Sequence, residues 1–170
     1  PEDDRNVHYL GREYFFYGRW DDCIATLQRH LAMPTATWAD ERSASMRYIA
    51  KSYVRKGDVL SARRYFLRAI AEAPHLREGY MDLATVLYEQ ENWPGVLYFT
   101  ACALEITARP DTYICEAAAW GPLPHDLRAI AFHRLGQIPL ALQEAEAPSD
   151  PRLQGNAALL RRAAAAAPQQ

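Results

Sequence analysis

The stretch from Ser43 to Pro74 holds two runs of apolar and small residues, and this pattern constrains the fold more than any other feature. In each run the apolar positions recur every three to four residues, the spacing of a helix that buries one face. They are Met46, Ile49, Ala50 and Tyr53, then Ala62, Phe66, Ala69 and Ile70. Gly57 separates the runs and Asp58 is suited to cap a new helix, which predicts a helical hairpin. One hairpin cannot bury its own apolar face, so it needs neighbours.

The same frame recurs elsewhere in the chain. The repeats cover residues 4–37, 43–76, 77–110 and, in a degenerate form, 122–148. Small, aromatic and proline residues stand at fixed intervals within each unit, and their order resembles the tetratricopeptide repeat (TPR) of about 34 residues. The resemblance implies an all-α fold, a tetratricopeptide-like right-handed superhelix of about four helical hairpins plus a C-terminal capping helix. Glycines are expected at the bends: Gly18, Gly57 and Gly136.

Several segments depart from the regular repeat. The link after the first unit is longer than usual, and Thr37 is expected to be the N-cap of the next helix. From residue 107 to 124 the periodicity is lost, which predicts an irregular loop. A last helix over 151–165 is expected to cap the stack, followed by a tail at 167–170. We therefore expect one domain, residues 1–166, of about nine helices without strands.

Composition argues against several classes of protein. The formal net charge of −2 and the pI near 6.2 give no support for binding to nucleic acid or to an anionic membrane. No apolar run is long enough to span a bilayer, so no membrane partner is expected. Three cysteines without close spacing favour a reducing compartment and a cytoplasmic localisation. Because the chain begins with Pro1 and ends in a low-complexity tail, we expect an excised piece of a longer protein.

The chain carries no recognisable catalytic motif. It has no glycine-rich phosphate loop, no Gly-x-Ser-x-Gly, no His-Glu-x-x-His and no paired Cys-x-x-Cys sequence. An Asp-x-Asp motif, which a metal-dependent sugar-nucleotide transferase would usually carry, is also missing. The five histidines share no metal-ligand spacing. We therefore expect a non-catalytic chain with no catalytic residue, no metal site and no cofactor.

Candidate binding residues lie on the first helix of each predicted pair, because that helix lines the concave side of a TPR stack. Three of these residues, Arg47, Lys51 and Arg55, are cations at four-residue intervals on one helical face. Like charges at this spacing repel each other by a few tenths of a kcal/mol per pair, a cost that an anionic partner would remove. The predicted groove is therefore basic in its N-terminal half. The candidate ligand- or peptide-binding residues are His8, Arg12, Phe16, Arg47, Lys51, Arg55 and Tyr88.

Alternatives stay open for these residues. Alternatively, the cations form a solvated helix face and pair with nearby acidic residues: Asp3, Asp4, Glu13 or Glu41. Phe15 and Phe16 stand between two tyrosines, so at least one of the four rings cannot face the core. An exposed ring would be a ligand platform or a contact to a preceding domain. Otherwise the ring would pack under the long link from Ala32 to Asp40.

Beyond the repeat pattern, four pairs of short segments carry a more specific resemblance. They are Tyr9–Glu13 with Gly18–Trp20, Leu31–Pro34 with Trp38–Arg42, Ala71–Pro74 with Arg77–Glu78, and Trp120–Gly121 with Pro124–Leu127. They look like the helical-repeat regions that follow the catalytic domain in bacterial family-2 glycosyltransferases. In such transferases the helical part is similar to a substrate-recognition or dimerisation arm, while sugar-nucleotide chemistry lies in an α/β domain. This chain does not contain that domain, so the resemblance implies no catalytic residue here.

Three functional hypotheses follow. The first is a non-catalytic TPR interaction module, the C-terminal arm of a glycosyltransferase. Its concave groove would bind a protein or peptide, acidic in character, or an acceptor substrate. The second is a homodimerisation scaffold with no groove ligand. The third, an enzyme acting on sugar nucleotides, would require an activity of the isolated chain that one point mutation abolishes.

Overall fold

The computed structural model describes residues 3–147 and 151–166, and within these the chain forms ten α-helices and no strand. The helices are α1 (Asp4–Phe16), α2 (Trp20–Ala32), α3 (Ala39–Arg55), α4 (Val59–Glu72), α5 (Arg77–Glu89), α6 (Trp93–Glu105), α7 (Ala117–Trp120), α8 (Leu123–Arg134), α9 (Ile138–Glu146) and α10 (Pro151–Ala166). The predicted all-α class is confirmed. One helix more than expected appears because α7 forms a single turn inside the stretch predicted to be irregular. Residue 148 of the fourth predicted repeat and the predicted tail at 167–170 lie outside the described residues.

In three of the helix pairs a glycine with left-handed backbone lies between the two helices, as the sequence predicts. Their φ angles, which other residues adopt only at a cost, are +71° at Gly18, +79° at Gly57 and +74° at Gly136. Between α5 and α6 the sequence has no glycine at the bend, and Glu91 takes the positive φ of 54° instead. The predicted cap of α4 is also present, and α6 has a cap of the same kind. Asp58 accepts a hydrogen bond from a backbone N–H at 3.0 Å and Asn92 accepts one at 3.1 Å.

The long link between α2 and α3 is held in a way that the sequence did not suggest. The N-cap of α3 is Trp38, whose side chain makes no capping hydrogen bond, so the prediction of Thr37 as the cap is wrong. The guanidinium of Arg42, on α3, donates hydrogen bonds to the carbonyl oxygens of Leu31 and Ala36, each at 3.1 Å. A side chain from the following helix therefore satisfies the backbone of the link.

The structure divides into two compact units. Unit 1 comprises Pro1–Leu83 with Thr112–Ile114, and unit 2 comprises Ala84–Asp111 with Cys115–Gln170. The boundary falls within α5. None of the helices in the described ranges is long and apolar enough to cross a membrane. The single domain expected for residues 1–166 stays a prediction.

The core of unit 1 lies where α1, α2 and α3 meet. Cys23, Ile24, Leu27 and Ile49 form a buried cluster that is surrounded by partly buried aromatic rings. Gly11 of α1 faces this cluster, and a Cβ atom placed there would lie 2.4 Å from Leu27 Cδ2. The absence of a side chain at Gly11 therefore lets α1 and α2 pack closely.

The core of unit 2 is built largely from alanine. Its buried cluster joins α8, α9 and α10 and consists of Ala129, Ala141, Ala145, Ala157 and Leu160. Because alanine side chains are small, the helices approach closely. Helix α10 covers α8 and α9 through Ala157 and Leu160, while Leu159 is 64% exposed. An apolar pocket of about 230 Å³ lies between α8 and α10.

Replacing Gly11 by alanine tests the close packing of α1 on α2. The added methyl group would overlap the fully buried Leu27 side chain, so we expect the free energy of unfolding to fall by about 1–3 kcal/mol. The matched control is Gly155→Ala on α10, where a Cβ would meet no atom within 4 Å. The control should leave stability unchanged or raise it by about 0.5–1 kcal/mol, because alanine favours helix. Urea unfolding followed by circular dichroism measures both, and equal stability of the two variants would contradict the packing.

Candidate functional site

Helix α3 buries an unusual set of polar side chains. Glu41, Ser45 and Arg47 of this helix are 4%, 0% and 2% exposed. His8 of α1 and His30 of α2 are also buried. Charged groups rarely lie in the interior unless they are paired, and buried polar groups need hydrogen-bond partners. The partners of these residues therefore define the candidate site of unit 1.

Two histidines and a serine form a hydrogen-bonded chain across three helices. The hydroxyl oxygen of Ser45 lies 2.7 Å from His8 Nδ1 and 2.9 Å from His30 Nδ1. Because a hydroxyl has one hydrogen, Ser45 can donate to only one of the two rings, so at least one ring donates its N–H to the Ser45 oxygen. Burial, together with the nearby His30 and Arg12, lowers the pKa of His8 to about 3. His8 is therefore neutral at physiological pH.

The other ring nitrogen of His30 faces two carboxylates. His30 Nε2 is buried and lies 3.3 Å from Glu41 Oε1, but it makes no hydrogen bond of good geometry. Asp4, the first residue of α1, completes a group whose ligand atoms all lie within 4.8 Å of one another. Burial lowers the pKa of His30, and the neighbouring Glu41 opposes that shift only in part. We call Asp4, His30 and Glu41 the three-ligand cluster.

The second oxygen of Glu41 has partners of its own. The hydroxyl of Tyr113 donates a hydrogen bond to Glu41 Oε2, and Arg5 Nε lies 3.7 Å from the same oxygen. The Tyr113 ring packs against Tyr9 and Trp38, with ring centroids 5.8 Å and 5.5 Å apart. Burial and the Glu41 carboxylate raise the pKa of Tyr113 above its ordinary value. The stretch predicted to be irregular thus supplies a side chain to the polar network of unit 1.

The three cations predicted to line the groove differ in their surroundings. Arg47 Nε donates to Asp82 Oδ2 at 2.6 Å, and Lys51 Nζ lies 3.1 Å from Asp82 Oδ1. Burial alone would raise the pKa of Asp82, but the two cations outweigh it and lower that pKa. Arg55, two turns along α3 from Arg47, is exposed. The prediction that Arg47 lines a binding groove is therefore corrected. Its guanidinium is buried against Asp82 rather than open to a ligand.

The candidate residues of α1 also differ from one another. His8 is 1% exposed and serves the buried network, which is a second correction. Arg12 is half-buried, and its guanidinium carbon lies 5.0 Å from the centre of the Tyr9 ring. Phe16 is 64% exposed and packs edge-on against Tyr48, with ring centroids 6.0 Å apart. Phe16 is thus a predicted aromatic that faces away from the core.

An ion pair of the kind expected for a solvated helix face is present, because Arg12 Nη2 lies 3.5 Å from Glu13 Oε1. Arg47 and Lys51 pair instead with Asp82, which was not among the expected partners. Tyr88, the last candidate, belongs to unit 2. It is half-buried and packs edge-on against Trp93, with ring centroids 5.7 Å apart.

Sequence reasoning missed the three-ligand cluster and the residues around it. Asp4 and Glu41 stood out only as charge partners, and His30 not at all. The ligands come from three helices and are separated by more than ten residues along the chain, so no sequence spacing reveals them. The sequence did offer one kind of indication: a polar residue at a helix position whose spacing places it among the buried apolar residues. His30 is such a residue in α2.

Comparison with known proteins establishes the fold. No protein-family model matches the chain, and no curated protein matches it. One matching solved structure, from Podosopora anserina, is of kinesin light chain type with nearly identical TPR-like repeats. It shares 18% identity over 97% of this chain and 90% of that chain, with a TM-score of 0.67. The structure of a variant of the same protein shares 18% identity over 84% and 71%, with a TM-score of 0.60. The chain therefore has a TPR-like helical-repeat fold.

Asp82→Asn tests the buried ion pairs of α3. Removing the carboxylate charge takes the Asp82 counter-ion away from the buried Arg47 guanidinium, so we expect the free energy of unfolding to fall by about 3 kcal/mol. Lys51→Ala is the matched control, since the Lys51 side chain is 26% exposed and its loss should cost about 1 kcal/mol or less. Urea unfolding at neutral pH measures both. Similar losses in the two variants would show that Arg47 does not depend on Asp82.

The depressed pKa of His8 predicts a loss of stability in acid. The folded state keeps His8 neutral down to a pH of about 3, whereas the unfolded chain takes up a proton near pH 6.5. Stability should therefore fall as pH drops from 6.5 towards 3, by about 1.4 kcal/mol per pH unit for this group. Urea unfolding of the native chain and of His8→Gln between about pH 7.5 and about pH 4.5 checks this. The variant should show the shallower dependence, and parallel curves would contradict the assignment.

Proposed function

We propose that this chain is a non-catalytic TPR-type interaction module that binds a protein or peptide carrying acidic and apolar side chains. The observation that supports this most is the exposure of Phe16, which is 64% exposed and packs against Tyr48, the ring that Lys51 also approaches. Tyr17, next to Phe16 in the chain, is also exposed, by 79%, and adjoining exposed apolar side chains are a common mark of an interaction site. The TPR-like fold agrees with such a role, because stacked helical hairpins offer extended surfaces.

The proposed binding surface is an aromatic–cation patch on α1 and α3 of unit 1. Phe16 contacts Tyr48, and Lys51 Nζ lies 5.6 Å from the centre of the Tyr48 ring. Residues four apart on a helix share a face, so Arg12 extends the patch along α1 and Arg55 extends it along α3. The patch thus consists of Arg12, Phe16, Tyr48, Lys51 and Arg55.

The charge of the patch favours an acidic partner. Arg55 brings a positive charge on an exposed turn of α3. Lys51, although it pairs with Asp82, keeps 26% of its side chain open to solvent, so a second anion can approach its ammonium group. Carboxylates of a partner would form charge-assisted hydrogen bonds here, while the aromatic rings would bury apolar side chains. The surface therefore suits a segment that carries both kinds of side chain.

We extend the proposal to the parent protein on the sequence resemblance alone. The segments Tyr9–Glu13 and Trp38–Arg42 are among those that look like the arm of a bacterial family-2 glycosyltransferase. In that case the module would act in the cytoplasm, and an acceptor substrate would be the alternative ligand. The full coding sequence tests this part of the proposal through any residues that it encodes before Pro1. A nucleotide-sugar domain with an acidic metal-binding motif would support it, and an unrelated sequence would remove it.

Phe16→Ala tests the patch. The probe is a fluorescein-labelled peptide of repeated Glu-Glu-Leu triplets, with repeated Lys-Lys-Leu triplets as the peptide of opposite charge. We expect the acidic peptide alone to bind, and Phe16→Ala to weaken its affinity about tenfold, because the main apolar contact is lost. Arg55→Ala should weaken binding less and reduce its dependence on salt. Fluorescence anisotropy measures each affinity.

Tyr98→Ala is the matched control, because Tyr98 of α6 is also an aromatic residue that is 64% exposed. It should bind the acidic peptide as the native chain does. Equal weakening by Tyr98→Ala and Phe16→Ala would show that the patch is not the site. Sedimentation velocity distinguishes the interaction module from the homodimerisation scaffold. A dimer that binds neither peptide would favour the scaffold.

A further inference from the structure

We propose that the three-ligand cluster of Asp4, His30 and Glu41 binds one divalent transition-metal ion, with Zn²⁺ as the ion that the donor set favours. The site lies in unit 1, and it is independent of peptide binding at the aromatic–cation patch. One imidazole nitrogen and two carboxylate oxygens are ligands that zinc accepts, whereas magnesium and calcium prefer oxygen alone. Three protein ligands would leave a coordination position for water or for a group of a partner.

The geometry of the cluster is close to what a metal ion requires. The three ligand atoms lie within 4.8 Å of one another. Ligands at about 2.1 Å from zinc in a tetrahedral arrangement lie about 3.4 Å apart, so the side chains would close on the ion by roughly 1 Å. His30 Nε2 points into this space from a fully buried ring and makes no hydrogen bond of good geometry. A buried ring nitrogen of this kind calls for a partner, and a metal ion supplies one.

The residues around the cluster orient its ligands as the outer shell of a metal site does. Metal-binding histidines use their second ring nitrogen for a hydrogen bond that fixes the tautomer and the ring orientation. In His30 that nitrogen, Nδ1, is bonded to Ser45 at 2.9 Å, and Ser45 is in turn bonded to His8. Glu41 uses its second oxygen for Tyr113, which leaves Oε1 towards His30. Both buried ligands are therefore held with one donor atom facing the cluster.

Charge also favours a cation at this point. Asp4 and Glu41 both lie in the first turn of a helix, where the helix dipole favours negative charge, and ionised carboxylates are the form that binds metal. Arg5 offsets part of their charge, but it lies 3.7 Å from Glu41 and its side chain is 59% exposed. The two carboxylates, Asp4 and Glu41, bring the negative charge that a cation needs. Asp4 is only half-buried, which gives an ion a route from solvent.

The test is calorimetric titration of the full chain with ZnCl₂ after dialysis against a chelator. We expect one Zn²⁺ per chain and much weaker binding of Mg²⁺, because magnesium does not use the imidazole. The absence of saturable zinc binding would overturn the proposal. Magnesium binding as tight as zinc binding would also overturn it.

Variants identify the ligands. Asp4→Asn should weaken zinc binding at least tenfold and leave the circular dichroism spectrum unchanged, since Asp4 is at a half-buried helix start. Ser45→Ala should weaken it roughly 10–100-fold through the lost support of His30. His133→Asn, at an exposed histidine of unit 2, is the control for non-specific binding and should have no effect. Zinc affinity that survives Asp4→Asn, or falls equally in His133→Asn, would refute the site.

Discussion

Pairing of the charges that α3 buries is the constraint on which unit 1 depends. Glu41 and Arg47 are almost completely buried, and an unpaired charge in such a position costs several kcal/mol. Asp82 and Lys51 complete one network, and Tyr113 contributes to the other. Pairs of this kind add little net stability compared with apolar packing, but breaking them is expensive. Each buried charge therefore ties α3 to one particular partner, Arg47 to Asp82 and Glu41 to Tyr113.

Helix α3 also connects the buried network with the surface of unit 1. Tyr48 lies with its ring centroid 6.4 Å from that of His8 and 6.0 Å from that of Phe16. The Tyr48 ring thus lies close both to the buried His8 and to the exposed Phe16. Groups held on rigid helices are positioned more accurately than groups on loops. The aromatic–cation patch consequently rests on elements whose own positions are set by buried polar contacts.

Unit 2 is organised on a different principle. Its alanine cluster lets α8, α9 and α10 approach closely, and the ion pairs between α8 and α9 are partly exposed. Glu144 of α9 accepts hydrogen bonds from Arg128 Nε at 2.7 Å and from His125 Nδ1 at 2.9 Å, and both partners are on α8. Close packing of small side chains contributes little apolar area per residue. Charge-assisted bonds such as these therefore supplement the alanine core of unit 2.

The sequence by itself determined the helices, their pairing and most of their ends. Apolar residues at helical spacing, left-handed glycines such as Gly57 and capping side chains such as Asp58 act within a few residues, so their effect can be read locally. The exposure of a ring in the run around Phe16 also follows from local crowding of aromatics. Tertiary structure alone decided the rest. Arg47 was predicted to bind a ligand in the groove, but it is buried and pairs with Asp82. This pair could not be read from the sequence, because Asp82 lies on another helix. The contact between His30 and Glu41 is likewise a result of tertiary packing, which decides which polar groups of distant segments lie close together.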